Sequence, residues 1–369
     1  MAIIVCPCIT IADEVTVVRA GEETTLIGNV IVKSQDEGML FQTRDGRLWP
    51  LTPEQIKDHK QNDEPVEPFN RKAQGRELRD ELERDYQDDF KIHEADEFVI
   101  VYNTHKDYAR WIGGLYRRFE RGFGGYWRSR KIKPEKPEFP LSVIVFKSRQ
   151  QYHLYMKREL GVVNPETIAY YNLETNRVTM FDLTADELGN KPADQRRIHE
   201  VLNNPRAIPM VATIIQEGTH QLMFNTGMQT RFSDTPLWLN EGLAMYFEVP
   251  DLQSNKGWRK IGQVNFLRMR PLLQYFRRRP PNSLKTMIMT DAPFREESAL
   301  DMYAQAWAFS YFLLNEHSDE FVEYLKFMSK KPRLQYDDPE VRLTDFLQFF
   351  EMDLEELDEE FVEFIRKQN

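Results

Sequence analysis

Four residues in the second half of the chain have the types and spacing that suit metal-assisted proton transfer. Three of them lie in the sequence QEGTH, as Gln216, Glu217 and His220. Side chains at positions i and i+4 share one face of an α-helix, so the first and third of these point the same way. An imidazole is a good zinc ligand, and a neighbouring carboxylate can accept a proton from zinc-bound water. Glu241, 21 positions after His220, supplies a second carboxylate. The pattern indicates a metal site whose first position is an amide.

Two helices must hold these side chains. The first is predicted to begin near Pro209, because apolar residues recur after it with a helical period. Those residues are Val211, Ile214, Ile215, Leu222 and Met223. A turn with the sequence DTP at residues 234–236 predicts the start of the second helix. Glu241 lies on that helix, and the apolar residues that follow it are expected to pack inward. The two helices should therefore direct their polar side chains toward a common point.

The same stretch resembles the active-site segment of a known class of peptidases. The zinc-peptidase motif is H-E-x-x-H, in which two imidazoles bind the metal and the glutamate polarises its water. In the gluzincin type the third ligand is a glutamate on the following helix, at a spacing that Glu241 matches. The runs HQLMFN and LWLNEGLAMYFE are similar to this segment of the gluzincin aminopeptidase-like peptidases. They are more closely similar to a planctomycete protein family of unknown function with a peptidase-like domain. The resemblance is specific over residues 209–248 and diffuse elsewhere.

The resemblance implies a role for each residue of the pattern. His220 and Glu241 would bind a divalent ion, for which zinc is the expected cofactor. Glu217 would act as the general base. Glu248 and Asn225 would lie behind the ligands as supporting residues, and Glu248 would orient an imidazole.

Two further features follow from the same resemblance. Tyr303 lies close to where those peptidases have the tyrosine that donates a hydrogen bond to the oxyanion. A core tyrosine at the start of a helix is the alternative. The strand before the active-site helix would be the sheet edge along which a peptide substrate pairs. It is predicted at Arg177, Val178, Thr179, Met180 and Phe181, the second strand of a hairpin. The Gly-x-Met-Glu-Asn run that the aminopeptidases carry there does not occur, which favours an endopeptidase-like activity.

The amide at Gln216 leaves three interpretations open. An amide oxygen is a poor zinc donor, so the exchange should weaken metal binding by at least about 10- to 100-fold. The first interpretation is a metallopeptidase-like hydrolase that keeps an ion through Gln216 or a nearby group. In it Glu217 takes a proton from the bound water, the hydroxide attacks a peptide carbonyl, and Tyr303 shares the oxyanion charge. The second is an inactive pseudopeptidase, a peptide-binding or cell-envelope interaction protein. The third is a coincidental pattern on two ordinary packed helices.

The composition is that of an acidic globular chain. Its 369 residues, 41% of them hydrophobic, are enough for a sizeable core in one or two domains. A formal charge of -10 argues against general nucleic-acid binding, which needs a basic face. No segment reaches the roughly 18 apolar residues of a transmembrane helix. The resemblance to peptidases implies a peptide or a protein as the partner.

The opening MAIIVCPCITIA is apolar and has two interpretations. It matches the end of a secretory signal cleaved after Ala12, which would send the protein to the periplasm or cell envelope. It also matches the first β-strand of a protein that stays in the cytoplasm. Cys6 and Cys8 provide neither a disulfide framework nor a metal knuckle.

The predicted architecture is α+β and zincin-like, of the gluzincin type, with a mixed sheet beside the active-site helix. Residues 13–56 alternate short strands and turns, which predicts a small β-rich module. Residues 57–91 carry charges of alternating sign at helical spacing, which predicts an exposed helical linker. Residues 92–250 would form the zincin-like domain with both motif helices. Residues 251–369 predict an α-helical lobe that forms the second wall of the cleft.

Overall fold

Short alternating strands near the start of the chain form an antiparallel sheet. The computed structural model describes residues 11–19, 21–35, 37–65, 70–185, 194–254, 258–296 and 299–368. Cys6 and Cys8 lie outside these residues, and Ala12 belongs to the first strand. The sheet order is β4-β3-β2-β1-β5. Its strands are β1 (Ile11–Arg19), β2 (Glu22–Lys33), β3 (Met39–Thr43), β4 (Leu48–Leu51) and β5 (Ile56–Pro65). This sheet has a small hydrophobic core of its own, which consists of Val15, Val17, Leu26, Met39, Phe41 and Leu51.

A second sheet lies in the main hydrophobic core. Its order is β6-β7-β8-β10-β9, with β7, β8 and β10 parallel and the two outer strands antiparallel to their neighbours. The strands are β6 (Lys91–Ala95), β7 (Phe98–Tyr102), β8 (Leu141–Phe146), β9 (Ala169–Asn172) and β10 (Arg177–Phe181). The three parallel strands are buried along their whole lengths, as is typical of strands covered by helices.

Helices make up most of the remaining described chain, and with the two sheets they give an α+β fold. Those in the first half are α1 (Arg71–Tyr86), α2 (Lys106–Ser129), α3 (Arg149–Leu160), α4 (Gln195–Leu202), α5 (Ile208–Asn225) and α6 (Leu237–Phe247). Those that follow are α7 (Phe266–Tyr275), α8 (Ser283–Met289), α9 (Ala299–Glu316), α10 (Ser318–Met328), α11 (Pro339–Leu347) and α12 (Leu354–Lys367). Among the described residues, no helix is long and apolar enough to cross a membrane.

Among the described residues of the range 57–91, the predicted charged helix is present as α1 (Arg71–Tyr86), but it packs against the sheet. Residues 57–65 belong to β5, which pairs with β1 at the edge of the first sheet. Helix α1 packs against β6 and β7 and buries Leu78 and Leu82. Alternating charge suits an exposed edge strand as well as a helix with one narrow apolar stripe, so the charge pattern did not separate these structures from a free linker.

Close packing of α6 against α9 determines where Glu241 lies. Trp238, on the first turn of α6, is fully buried and stacks on Tyr324 with ring centroids 6.1 Å apart. Gly242 follows Glu241 directly, and a Cβ there would lie 2.3 Å from the Ser310 Oγ and 2.5 Å from a backbone oxygen of α9. Only a glycine allows the two helices to approach this closely at that point.

Candidate functional site

Helices α5 and α6 bring the motif residues to one cavity of about 540 Å³. Gln216, Glu217 and His220 come from α5, and Glu241 comes from α6. Strand β9 and the start of α9 complete the wall. The lining residues are Thr167, Ala169, Tyr170, Tyr171, Leu173, Gln216, Glu217, His220, Phe224, Leu237, Asn240, Glu241, Arg268, Leu300 and Tyr303. The four motif residues and Tyr303 thus face one space.

His220 and Glu241 form an ion pair at the base of the cavity. The Nε2 of His220 lies 3.6 Å from the Oε2 of Glu241, and its Nδ1 lies 3.1 Å from the Oδ1 of Asn240. Burial would lower the pKa of His220, but the charge and hydrogen bond of Glu241, the charge of Glu217 and the hydrogen bond of Asn240 together raise that pKa to about 9. The same pairing overcomes the effect of burial on Glu241, whose pKa is lowered. Both ring nitrogens of a protonated His220 can therefore donate to these oxygens.

Glu217 is held against the sheet. Its Oε2 accepts a hydrogen bond from the backbone N–H of Tyr171 in β9 at 2.8 Å. Burial raises its pKa to about 7, with the charge of Glu241 adding to the rise and His220 opposing it. Glu217 consequently exchanges its proton near neutral pH, as a general acid or base does.

Arg268 enters the site from α7, outside the motif stretch. Its Nε and Nη2 donate to the two oxygens of Glu248 at 2.8 and 2.9 Å, and the same Nη2 donates to the Oε1 of Gln216 at 3.3 Å. Glu248 also accepts from Asn265 at 2.6 Å. The partner of Glu248 is therefore a guanidinium and an amide rather than the imidazole that the resemblance implied. The sequence around Arg268 carries no signal for this role, because the contact is made across the fold.

The residues present do not fit a zinc ion as they stand. The Oε1 of Gln216 accepts from Arg268, and its Nε2 donates to Glu241 at 3.1 Å. Both polar atoms of the amide are thus engaged by other side chains, and one ligand oxygen of Glu241 is engaged as well. Within the part of the chain that the structure describes, no group of three or more His, Cys, Asp and Glu side chains is arranged to hold a metal ion.

Tyr303 lies on the first part of α9 and faces the cavity. Burial, followed by the charges of Glu241 and Glu217, raises its pKa to about 12, so the phenol stays protonated and can donate a hydrogen bond. The ring packs edge-on against Phe294 at 5.3 Å. The phenol therefore lies in the cavity beside the two carboxylates, with its ring supported from behind.

The predicted edge strand is wrong. The strand formed by Arg177, Val178, Thr179, Met180 and Phe181 is β10, which lies inside the sheet between β8 and β9. The true edge is β9, the first strand of the same hairpin. Chain order suggested that the later strand would be outermost, but β10 pairs in parallel with β8 and leaves β9 outside. The side chain of Arg177 accordingly does not line the cavity and pairs with Glu81.

Asn225 lies at the end of α5 and contacts the hairpin turn rather than the motif residues. It exchanges two hydrogen bonds with the amide of Asn176, at 2.7 and 2.8 Å, and also donates to the backbone of Gln221. Next to this turn, the rings of Tyr171 and Phe224 stack at 5.8 Å with an angle of 16°. Tyr171, Phe224 and Asn240 also line the cavity and were not predicted as site residues. The position of Asn240 beside Glu241 was the only local signal for any of them.

The segment that carries the motif residues matches the model of a known protein family. The model of a family described as protein of unknown function (DUF1570) matches residues 210–335. The matched segment contains α6 to α10 and most of α5, and with them Gln216, Glu217, His220, Glu241 and Tyr303. The chain is similar to that family over this third of its length. A comparison with curated proteins gives no match.

Proposed function

We propose that the protein binds an extended peptide segment in this cavity and does not hydrolyse it. In this proposal the chain is a zincin-like, gluzincin-type pseudopeptidase whose motif residues recognise a ligand without a metal ion. The observation that carries it is that β9, which lies beside the motif residues, is the last strand of its sheet among the described residues. Tyr171 turns its N–H away from β10 and toward the cavity. In an antiparallel pair alternate residues present their backbone groups outward, where an added strand can pair with them.

The cavity lining combines apolar and charged side chains, which suits a peptide. The stacked rings of Tyr171 and Phe224, with Leu173 and Leu237, offer apolar surface for a side chain. The charged residues and the Tyr303 hydroxyl of the same lining offer polar groups. A peptide carbonyl would replace Glu217 as the acceptor of the Tyr171 N–H, and Tyr303 can donate to another carbonyl. Pockets of this kind orient a ligand by few polar groups and bind it by apolar contact.

Metal-dependent peptide hydrolysis is the second candidate. The observation that favours it is that Glu217, His220, Glu241 and Tyr303 line one cavity in the order expected from the motif spacing. The hydrogen bonds of Gln216 to Arg268 and Glu241 count against it, because they occupy the position of the third ligand.

Peptide binding and cleavage are measured together. Fluorescein-labelled decapeptides with a central Leu, Phe, Asp or Lys are titrated with the protein and followed by anisotropy. The same mixtures are checked for cleavage by mass spectrometry, with and without added zinc. We expect binding that is tightest for Phe or Leu and no cleavage in either condition. Zinc-dependent cleavage that is lost in Glu217→Gln would favour the hydrolase instead.

Two variants at one position test the added-strand geometry. Tyr171→Pro removes the outward N–H and is tolerated in an edge strand, whereas Tyr171→Ala keeps the N–H and removes only the ring. We expect Tyr171→Pro to bind the peptides at least several-fold more weakly than Tyr171→Ala. Equal affinities of the two variants would contradict strand pairing at β9, and absence of binding by the wild-type protein would contradict the proposed function.

A further inference from the structure

The guanidinium of Arg268 places a positive charge in the lining of the cavity. The Nη2 of Arg268 donates both to Glu248 and to Gln216, at 2.9 and 3.3 Å. One guanidinium nitrogen thus bridges a buried carboxylate at the end of α6 and the first motif position on α5. An arginine side chain is not deprotonated in proteins, so the positive charge at this position is permanent.

The start of α7 holds this guanidinium in place. Asn265 caps the helix, since its Oδ1 accepts from the N–H of Leu267 at 3.1 Å, and its Nδ2 donates to Glu248. Arg268 lies three positions further on, so both side chains reach the same carboxylate from one helical face. The side chain of Glu248 is 1% exposed and that of Arg268 is 26% exposed. A bidentate pair of this kind, with the carboxylate buried, has a defined geometry.

We infer that Arg268 is the resident cation of this site and that, together with Gln216, it excludes a divalent metal ion. An ion bound by His220 and Glu241 would lie beside Gln216 and therefore close to a guanidinium that is always protonated. Like charges at such distances repel strongly where water is partly excluded. The amide cannot compensate, because its oxygen already accepts a hydrogen bond from Arg268.

Arg268 also deprives position 216 of a supporting carboxylate. A metal-bound imidazole usually donates its second N–H to a carboxylate or carbonyl, and this contact strengthens metal binding about 10- to 100-fold. Glu248 and position 216 both contact the Nη2 of Arg268, so Glu248 lies near enough to serve as this carboxylate. Arg268, however, binds both oxygens of Glu248. An imidazole introduced at position 216 therefore lacks this partner while Arg268 is present. Restoring a zinc site requires two substitutions, and neither is sufficient alone.

Zinc affinity of four proteins tests the inference: the wild type, Gln216→His, Arg268→Met and the double variant. Each full-length protein is titrated with zinc in competition with a chromogenic chelator, and circular dichroism and a thermal melt check the fold. We expect the double variant to bind one zinc ion at least about 100-fold more tightly than Gln216→His alone. Arg268→Gln is made in parallel with Arg268→Met, so that a folding defect of one side chain does not decide the result.

Two controls isolate the charge of Arg268. Gln216→His with Arg268→Lys keeps the positive charge and should stay as weak as Gln216→His alone. Gln216→His with Arg270→Met removes an exposed arginine of the same helix and should change nothing. Tight zinc binding by the wild type or by Gln216→His alone would overturn the inference, as would a folded double variant that binds no zinc. The measured quantity is zinc affinity. A failure of this inference is therefore distinguishable from a failure of the proposed peptide binding.

Discussion

Arg177 offers the sharpest test of the corrected sheet order. The sequence predicts it on a substrate-binding edge strand, whereas the structure buries it under α1. Its Nη1 and Nη2 donate to the two oxygens of Glu81 at 3.2 and 3.0 Å, and its Nη2 lies 3.5 Å from Asp45 in the turn between β3 and β4. The side chain is 7% exposed and that of Glu81 is 24% exposed. Arg177→Met should therefore reduce stability and leave peptide binding unchanged.

The expected loss of unfolding free energy in Arg177→Met follows from the burial of the Arg177–Glu81 ion pair. Removing one partner of a buried ion pair costs about 3 to 5 kcal/mol, because the other charge is left uncompensated. Glu81 keeps some contact with solvent, so we expect about 3 kcal/mol, at the lower end of that range. With a urea dependence of about 3 kcal/mol per molar, the unfolding midpoint would fall by about 1 M.

Urea unfolding, followed by tryptophan fluorescence and circular dichroism, measures this loss. Arg158→Met is the matched control, because Arg158 lies 3.6 Å from the same Glu81 carboxylate but is 50% exposed. Its removal should cost less than about 1 kcal/mol. Adding Glu81→Leu to Arg177→Met removes the stranded charge and should recover most of the loss. Equal midpoints for Arg177→Met and Arg158→Met would refute the reasoning, as would weakened peptide binding in Arg177→Met.

Three other predictions concern helix packing, the Arg177–Glu81 pair and the peptide cavity. Gly242→Ala gains helix propensity but drives a methyl group into Ser310 and a backbone oxygen of α9, so we expect a net loss of about 1 to 2 kcal/mol in urea unfolding. Burial tends to raise the pKa of Glu81, but the neighbouring arginine outweighs it and the pKa is lowered. The pair therefore stabilises the fold fully above the unfolded-state pKa of about 4.3, and this stabilisation is lost as the pH falls through the lower folded-state pKa. Between pH 7 and pH 3, the free energy of unfolding should therefore fall less steeply in Arg177→Met than in the wild type. Phe224→Ala removes the ring stacked on Tyr171, so anisotropy should show weaker binding of the Phe peptide and little change for the Asp peptide.

Local sequence patterns were sufficient for most individual elements. The apolar runs FVIVY and LSVIVF predict strands and form β7 and β8, and the segment Arg149–Leu160 predicts a helix and forms α3. Both motif helices begin where a proline and a turn indicated. Such elements were predictable because a helix or strand that packs on one side repeats its apolar residues with a fixed period. This period does not depend on which element it packs against.

Two local predictions failed where a distant residue decides the outcome. The glycines at positions 122, 124 and 125 predict a bend after a helix, yet α2 continues through them to Ser129. Gly122 is needed instead because a Cβ there would lie 2.5 Å from the Cβ of Trp258. The apolar period from Trp258 onward predicts a helix that begins there, whereas α7 begins only at Phe266. Glycine lowers helix propensity by about 1 kcal/mol, and tertiary packing readily exceeds that.

By itself, the sequence determined which side chains could do chemistry and which helices carry them, because the spacing of Gln216, Glu217, His220 and Glu241 follows from helical geometry alone. Only the tertiary structure decided what surrounds these side chains. The position of β9 at the sheet edge depends on a parallel pairing between strands far apart in sequence. The guanidinium of Arg268 reaches Gln216 across a loop and a separate helix. Contacts of this kind leave no period in the chain, and they determine whether the site suits a metal ion or a peptide.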